Sequence, residues 1–277
     1  MVIDVHVHLF PPEITRNIEK YTCRDPYLAA ICSSKGHKYA TVEDLLAQME
    51  QSGVDMTAVS GFASSDPGLC REMNDYTLEA ARSYPRKLLS MAVVPPADKL
   101  MEQELDRARK NGARGVGELF PWGHDFPLEG EKAQRLASYC QERELPLLLH
   151  LNENVGHDYM GKGKFSVKEG AAFAAKYPNL PLVYAHLGGG LCFYELMPEL
   201  KAQLRHVYYD IAAAPFLYSK DVYRVLHEIG ILDKILLGSD YPLISPLRYL
   251  RDLASSGLEP HETSLITGAN ATRLFGL

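Results

Sequence analysis

The chain has 277 residues, 46% of them hydrophobic and 23% charged, with a formal net charge of −6. This is enough chain for a substantial core, while the acidic balance offers no basic face for nucleic acid and no apolar run approaches the ~20 residues of a membrane span. Five cysteines (Cys23, Cys32, Cys70, Cys140 and Cys192), odd in number and without a C-x-x-C, argue against a disulfide framework or zinc knuckle and make a cytoplasmic location the expectation, as does Met1 running into Ile3-Asp4-Val5 without a secretory leader.

In chain order, the first strand is expected near Ile3, followed by a long segment, residues 9 to 41. A helix then opens at the capping box Thr41-Val42-Glu43-Asp44, presents Leu45, Leu46 and Met49 to a core, and stops at Gly53. Further strands are predicted to begin near Val54, Lys87, Ala113, Leu145, Pro181, His206 and Lys234. Between them lie helical segments, one ending before Pro85, one near Gly112, and one opening at Ser166-Val167-Lys168-Glu169 and ending ahead of Pro178. Strict alternation of strand and helix implies parallel pairing. Eight such units predict an α/β fold, a single (β/α)8 TIM barrel of the metal-dependent hydrolase type spanning 1–277 as one domain. The lack of G-x-G-x-x-G after the first strand weakens a nucleotide-binding alternative. Residues 9–41, 121–129 and 152–165 are the loops expected to roof the mouth.

On a strand, alternate side chains share a face. Asp4, His6 and His8 are therefore expected to point one way and Ile3, Val5 and Val7 the other, towards the helices. Two imidazoles inside a barrel mouth are costly to desolvate unless they bind something, and a divalent cation is the usual partner; the alternative is a pair of satisfied core histidines. Three more strands end in His or Asp after an apolar run: Leu147-Leu148-Leu149-His150, Leu182-Val183-Tyr184-Ala185-His186 and Ile235-Leu236-Leu237-Gly238-Ser239-Asp240. All would project into the same mouth.

With those motifs, and with His186-Leu187-Gly188-Gly189, Leu236-Leu237-Gly238-Ser239-Asp240-Tyr241-Pro242 and the closing Gly268-Ala269-Asn270-Ala271-Thr272-Arg273-Leu274-Phe275, the whole chain resembles the amidohydrolase superfamily. Within it, the resemblance is to the amidohydrolase-2 branch that contains aminocarboxymuconate-semialdehyde decarboxylase, resorcylate decarboxylase and pyrone-dicarboxylate lactonase. The resemblance implies that His6, His8, His150 and Asp240 bind a divalent metal, zinc before others, with His186 beside them as an acid/base or a ligand of a second ion. A catalytic zinc with an open position brings the pKa of water down to ~7. Asp240 would accept that water's proton and pass it to the leaving group, with His186 polarising the substrate oxygen or orienting the nucleophile.

Glu118, in Gly115-Val116-Gly117-Glu118, departs from the decarboxylase branch, which usually has no carboxylate at the end of strand four. Hydrolase branches such as the TatD-like nucleases place a bridging glutamate there. If Glu118 bridges, His150 and His186 would hold a second ion; otherwise an arginine such as Arg114 would pair with it. Gly188-Gly189-Gly190 are expected to open a helix whose amides could receive an anionic group. Gly156 to Lys162 fits G-x-x-x-x-G-K, but without the following Ser or Thr or the flanking strand and helix it is not a phosphate loop. Lys162 and His157, on a loop above the mouth, are candidate substrate contacts. His37, His124, His206, His227 and His261 are read as structural. The expected function is metal-dependent hydrolysis of a small, anionic amide, lactone or ester, in a chain with a small-molecule partner and scope for homo-oligomer formation. A lyase using the same site for decarboxylation or hydration is the alternative, and a catalytically silent barrel is disfavoured because every expected ligand position is filled.

Overall fold

The computed structural model describes residues 1–33, 36–159, 161–164 and 166–277. Eight strands run β1 Ile3–His8, β2 Met56–Ser60, β3 Leu88–Ala92, β4 Ala113–Leu119, β5 Leu147–Leu149, β6 Leu182–Tyr184, β7 Val207–Asp210 and β8 Ile235–Leu236. Neighbours in sequence are neighbours in the sheet, and every pairing is parallel. The barrel closes between β8 and β1, where Val5 N donates to Leu237 O (2.8 Å) and Asp240 N to His6 O (2.9 Å). This is the predicted (β/α)8 barrel.

The local signals act where they stand. Asp44 N donates to the Thr41 side chain and Thr41 N to the Asp44 carboxylate, starting helix Val42–Ser52, which Gly53 ends at φ 72°. Ser166 and Glu169 make the same reciprocal cap before Val167–Lys176. Helix Pro67–Ser83 stops ahead of Pro85 and Met101–Lys110 ahead of Gly112. No helix among the described residues is long and apolar enough to cross a membrane. All five cysteines are free.

One expectation about β1 fails. Ile3 and Val5 pack with Ala58, Leu89, Leu148, Val183 and Leu236. Side chains from β1 and β5, on opposite sides of a barrel, can meet only inside it, so Ile3 and Val5 face the interior and not the helices. Val7 does face out, against Val42, Leu45 and Met49. The cause is a register shift between Asp4 and Val7, where β1 gains a residue on β2. Such a bulge resets the alternation, leaving His6 and His8 at the mouth above an apolar interior. Asp4 instead lies against the end of β8, its carboxylate accepting N–H from His6 (3.2 Å) and Ser239 (3.0 Å).

The long segment after β1 carries short helices, Pro12–Arg16, Ile18–Thr22 and Pro26–Cys32. With His157, Tyr159 and Gly161 it walls the mouth. The loop at 121–129 does not line the cavity but backs it: a Cβ on Gly123 would sit 2.8 Å from the Tyr27 ring, and one on Gly163 2.9 Å from Trp122 Cβ.

Candidate metal centre

At the C-terminal mouth the structure brings together all six residues singled out from the sequence as metal ligands. His6 and His8 come from β1, Glu118 from β4, His150 directly follows β5, His186 follows β6 and Asp240 follows β8. They form two groups, His6 with His8 and Asp240, and His150 with His186 and Glu118. The Glu118 carboxylate lies between them. Its Oε2 is 3.4 Å from His6 Nε2 and 3.3 Å from His8 Nε2, while its Oε1 is 3.0 Å from His150 Nδ1 and 3.4 Å from His186 Nε2. Arg114 is not its partner; that guanidinium donates to Phe275 O (2.7 Å) at the other end of the barrel. Glu118 was expected either to bridge or to pair with arginine, and its ion-pair partners among the described residues are histidines alone.

The spacings fit a cation. Ligands at ~2.0–2.1 Å around a tetrahedral ion stand roughly 3.3 Å from one another. His6 Nε2 and His8 Nε2 are 3.2 Å apart, and His150 Nδ1 and His186 Nε2 are 3.0 Å apart. Asp240 Oδ1 closes the first group at 3.8 Å from His6 and 3.6 Å from His8. Imidazole nitrogens and carboxylate oxygens make a mixed N/O set, suited to a divalent ion of intermediate softness. Electrostatics point the same way. Burial alone would raise the Glu118 carboxyl, but the surrounding imidazoles, His6 and His150 first, hold it well below the usual carboxylate range. Burial would likewise depress His6 and His186. Glu118 and Asp210 instead lift His6 well above its ordinary value, and Glu118 with Asp240 and Asp210 lifts His186 to about 9. A field that favours a proton on these rings also favours a divalent cation between them.

Several supporting groups escaped the sequence reading. Asp210, at the end of β7, accepts a hydrogen bond from His6 Nδ1 at 2.8 Å. Ser60 Oγ lies 3.3 Å from His8 Nδ1, and Ala212 O accepts from His186 Nδ1 at 3.0 Å. Each partner holds the far ring nitrogen and turns Nε2 inward. His150 is the exception: it faces the site with Nδ1, and its buried Nε2 has no hydrogen-bond partner among the described residues. Tyr208-Tyr209-Asp210 obeys the same rule that flagged Asp240, an acid at the end of an apolar strand, and that was the available signal.

Backbone strain concentrates here. His186, Leu187 and Asp240 have φ of 57°, 56° and 57°, a left-handed conformation costing roughly 1–2 kcal/mol for each L-residue. Gly188, Gly189 and Gly190 continue the left-handed run at φ 62°, 60° and 90°. The expected helix start is therefore not there. These residues turn opposite to a right-handed helix, and Gly189 lies so close to Asn152 that a Cβ would be 2.4 Å from its carbonyl oxygen. Gly117, at φ 117°, is packed similarly, with a Cβ position 2.2 Å from Leu148 O. Gly117→Ala should displace Glu118, lowering both the unfolding temperature and the metal content. Gly53→Ala, at φ 72° with nothing within 4 Å, should cost only the conformational ~1–2 kcal/mol and leave metal content unchanged. Equal behaviour of the two variants in thermal melts and metal analysis would contradict this.

The amidohydrolase family profile matches residues 3–277. The chain belongs to the amidohydrolase family. A search of curated proteins returns no match. Among solved structures, this amidohydrolase is similar to 5-carboxyvanillate decarboxylase from Novosphingobium aromaticivorans, complexed with manganese and 4-hydroxy-3-methoxy-5-nitrobenzoic acid (TM-score 0.77, 17% identity, covering 100% of this chain and 96% of that one). It is also similar to 2,6-dihydroxybenzoate decarboxylase from Rhizobium (TM-score 0.74, 16% identity, 99% and 98%). A third likeness is to a probable 2-pyrone-4,6-dicarboxylic acid hydrolase from Acinetobacter baumannii with citric acid bound (TM-score 0.68, 19% identity, 100% and 99%). At these identities the likeness establishes the fold.

Above the candidate metal centre this amidohydrolase has a cavity of about 470 Å³, lined at the base by His8, Glu118, His150, His186 and Asp240. Its walls are largely aromatic. Phe62 stacks on Phe120 (5.0 Å between ring centres) and on Phe10 (5.9 Å), and the outer two reach Tyr39 and His150. His157 lines the cavity; Lys162 does not, its Nζ donating instead to Val155 O (2.8 Å) and His157 O (2.9 Å) on its own loop. His37, read as structural, lines it too, edge-on to Phe10 and Tyr39. Lys38 is the one lysine or arginine among the described lining residues.

Proposed function

We infer that this amidohydrolase-family protein is a metal-dependent hydrolase that opens a small anionic lactone, ester or amide, with His6, His8, Glu118, His150, His186 and Asp240 holding zinc or a similar divalent ion. The observation that carries the reading is the Glu118 carboxylate, which offers one oxygen to each histidine pair. A carboxylate so placed can bridge ions ~3.5–4 Å apart, the spacing of two-metal hydrolytic sites. Divalent ions bound there would polarise a carbonyl and acidify water. Asp240, lining the cavity with its side chain 17% exposed, would take a proton from water and return it to the leaving group. His186, pinned by Ala212 O, would present a fixed nitrogen to the same reaction centre. The aromatic walls suit a flat substrate body, and Lys38 suits a carboxylate at the rim.

A second reading, decarboxylation of a small acid, draws on those same walls. Converting a carboxylate to neutral carbon dioxide is helped by weakly polar surroundings, and two of the structural neighbours named above are decarboxylases. Metal analysis separates the readings. Wild-type protein should carry about two ions per chain and Glu118→Gln about one, with hydrolysis impaired. A parallel screen of lactones, esters, amides and hydroxybenzoates should register acid release, not carbon dioxide. One ion in both proteins, together with carbon dioxide evolution, would replace the hydrolase by the lyase.

A further inference from the structure

We propose that Asp210 is a positioning residue that sets His6 and His186 together, keeping the Nε2 lone pair of each turned into the metal centre. The proposal rests on the reading that this centre binds divalent ions. β7 contributes no residue to either ligand group, yet its last residue touches both. Asp210 is fully buried. Its Oδ2 accepts from His6 Nδ1 (2.8 Å), while its Oδ1 accepts the backbone N–H of His186 (2.9 Å) and of Ala212 (3.0 Å). Ala212, placed by that bond, returns its carbonyl to His186 Nδ1 (3.0 Å). One carboxylate thus fixes the tautomer of His6 directly and that of His186 through two residues of backbone. A buried carboxylate is tolerated only when its oxygens are satisfied, and here each oxygen serves a different ligand group. Gly238 makes the approach possible, since a Cβ there would lie 2.9 Å from the Cβ atoms of both Asp210 and His6.

Asp210→Asn tests the role because it preserves shape. The amide oxygen can still accept from His186 and Ala212, but its NH₂ then faces His6 Nδ1. Two donors cannot pair, so His6 must move its proton to Nε2, where it blocks coordination. Chelator-stripped protein would be titrated with Mn²⁺ and with Zn²⁺ against a competing chromophoric chelator. The expected result for Asp210→Asn is an affinity weakened about 10–100-fold, the scale of a lost outer partner of a ligating histidine, with an unchanged far-ultraviolet circular dichroism spectrum. Binding as tight as wild type would overturn the proposal. ¹⁵N NMR of histidine in the metal-loaded wild type supplies a test that does not depend on the variant folding: His6 should be protonated at Nδ1 and coordinated through Nε2, and coordination through Nδ1 would overturn the proposal equally. Wild-type protein that takes up neither ion would overturn the metal reading itself, and this inference with it.

Discussion

Asp240→Asn should reduce turnover by ~10²-fold or more, the usual scale of a lost general acid/base, while the metal remains bound. Asp240 Oδ1 stands 3.6 Å from His8 Nε2 and 3.8 Å from His6 Nε2, and the residue also lines the cavity. It therefore meets both the ligand cluster and any substrate above it. Its backbone is left-handed, φ 57°, a conformation that Asn tolerates as readily as Asp, so the substitution adds no strain. The amide keeps one oxygen for a cation but can neither take up nor return a proton. Steady-state kinetics paired with metal analysis on the same sample would check both halves of the expectation. Near-native turnover would move the proton-transfer role elsewhere, with His186 the next candidate.

His6→Ala and His8→Ala should each strip the metal but differ in what remains. His6 is hydrogen-bonded to buried Asp210 at 2.8 Å. Removing it leaves a buried carboxylate without its imidazole partner, a loss of the order of 3–5 kcal/mol. Both rings also face Glu118 and Asp240, a loss the two variants share; the far nitrogen of His8 meets Ser60, a neutral hydroxyl at 3.3 Å, and losing that contact costs about 1 kcal/mol. Metal-free His6→Ala should therefore melt well below metal-free His8→Ala, both still folded as barrels. Full metal occupancy in both variants would show that the ligands are misassigned; equal melting would show that Asp210 does not depend on His6.

The sequence carried the architecture because each signal was local. The caps at Thr41 and Ser166, the stop at Gly53 and the apolar runs before His150 and His186 depend on neighbours within a few residues, and each element lies at or close to its predicted position. Strand ends of a parallel barrel share one face, so histidines and acids at those ends could be gathered into one mouth without coordinates. Within the sheet, what failed was what required counting across strands. Ile3 and Val5 were assigned outward by a period of two, and a single extra residue between Asp4 and Val7 reversed them.

Glu118 shows the division most clearly. Its type and its place at the end of strand four were legible, but whether it met an arginine or four imidazoles depended on side chains 32 to 112 positions away in sequence, brought near only by barrel closure. Asp210 was legible as an acid at the end of strand seven, but its partner was not, since His6 is 204 residues distant. The cavity walls, drawn from separate segments of chain that include Phe10, Tyr27, Phe62, Phe120, Tyr159 and Phe216, have no sequence signature. By itself the sequence determined the barrel, the mouth and the residue types that face it, because those follow from local hydrogen bonding and apolar periodicity. The tertiary structure decided which oxygen meets which nitrogen, because that depends on the register of strands far apart in the chain.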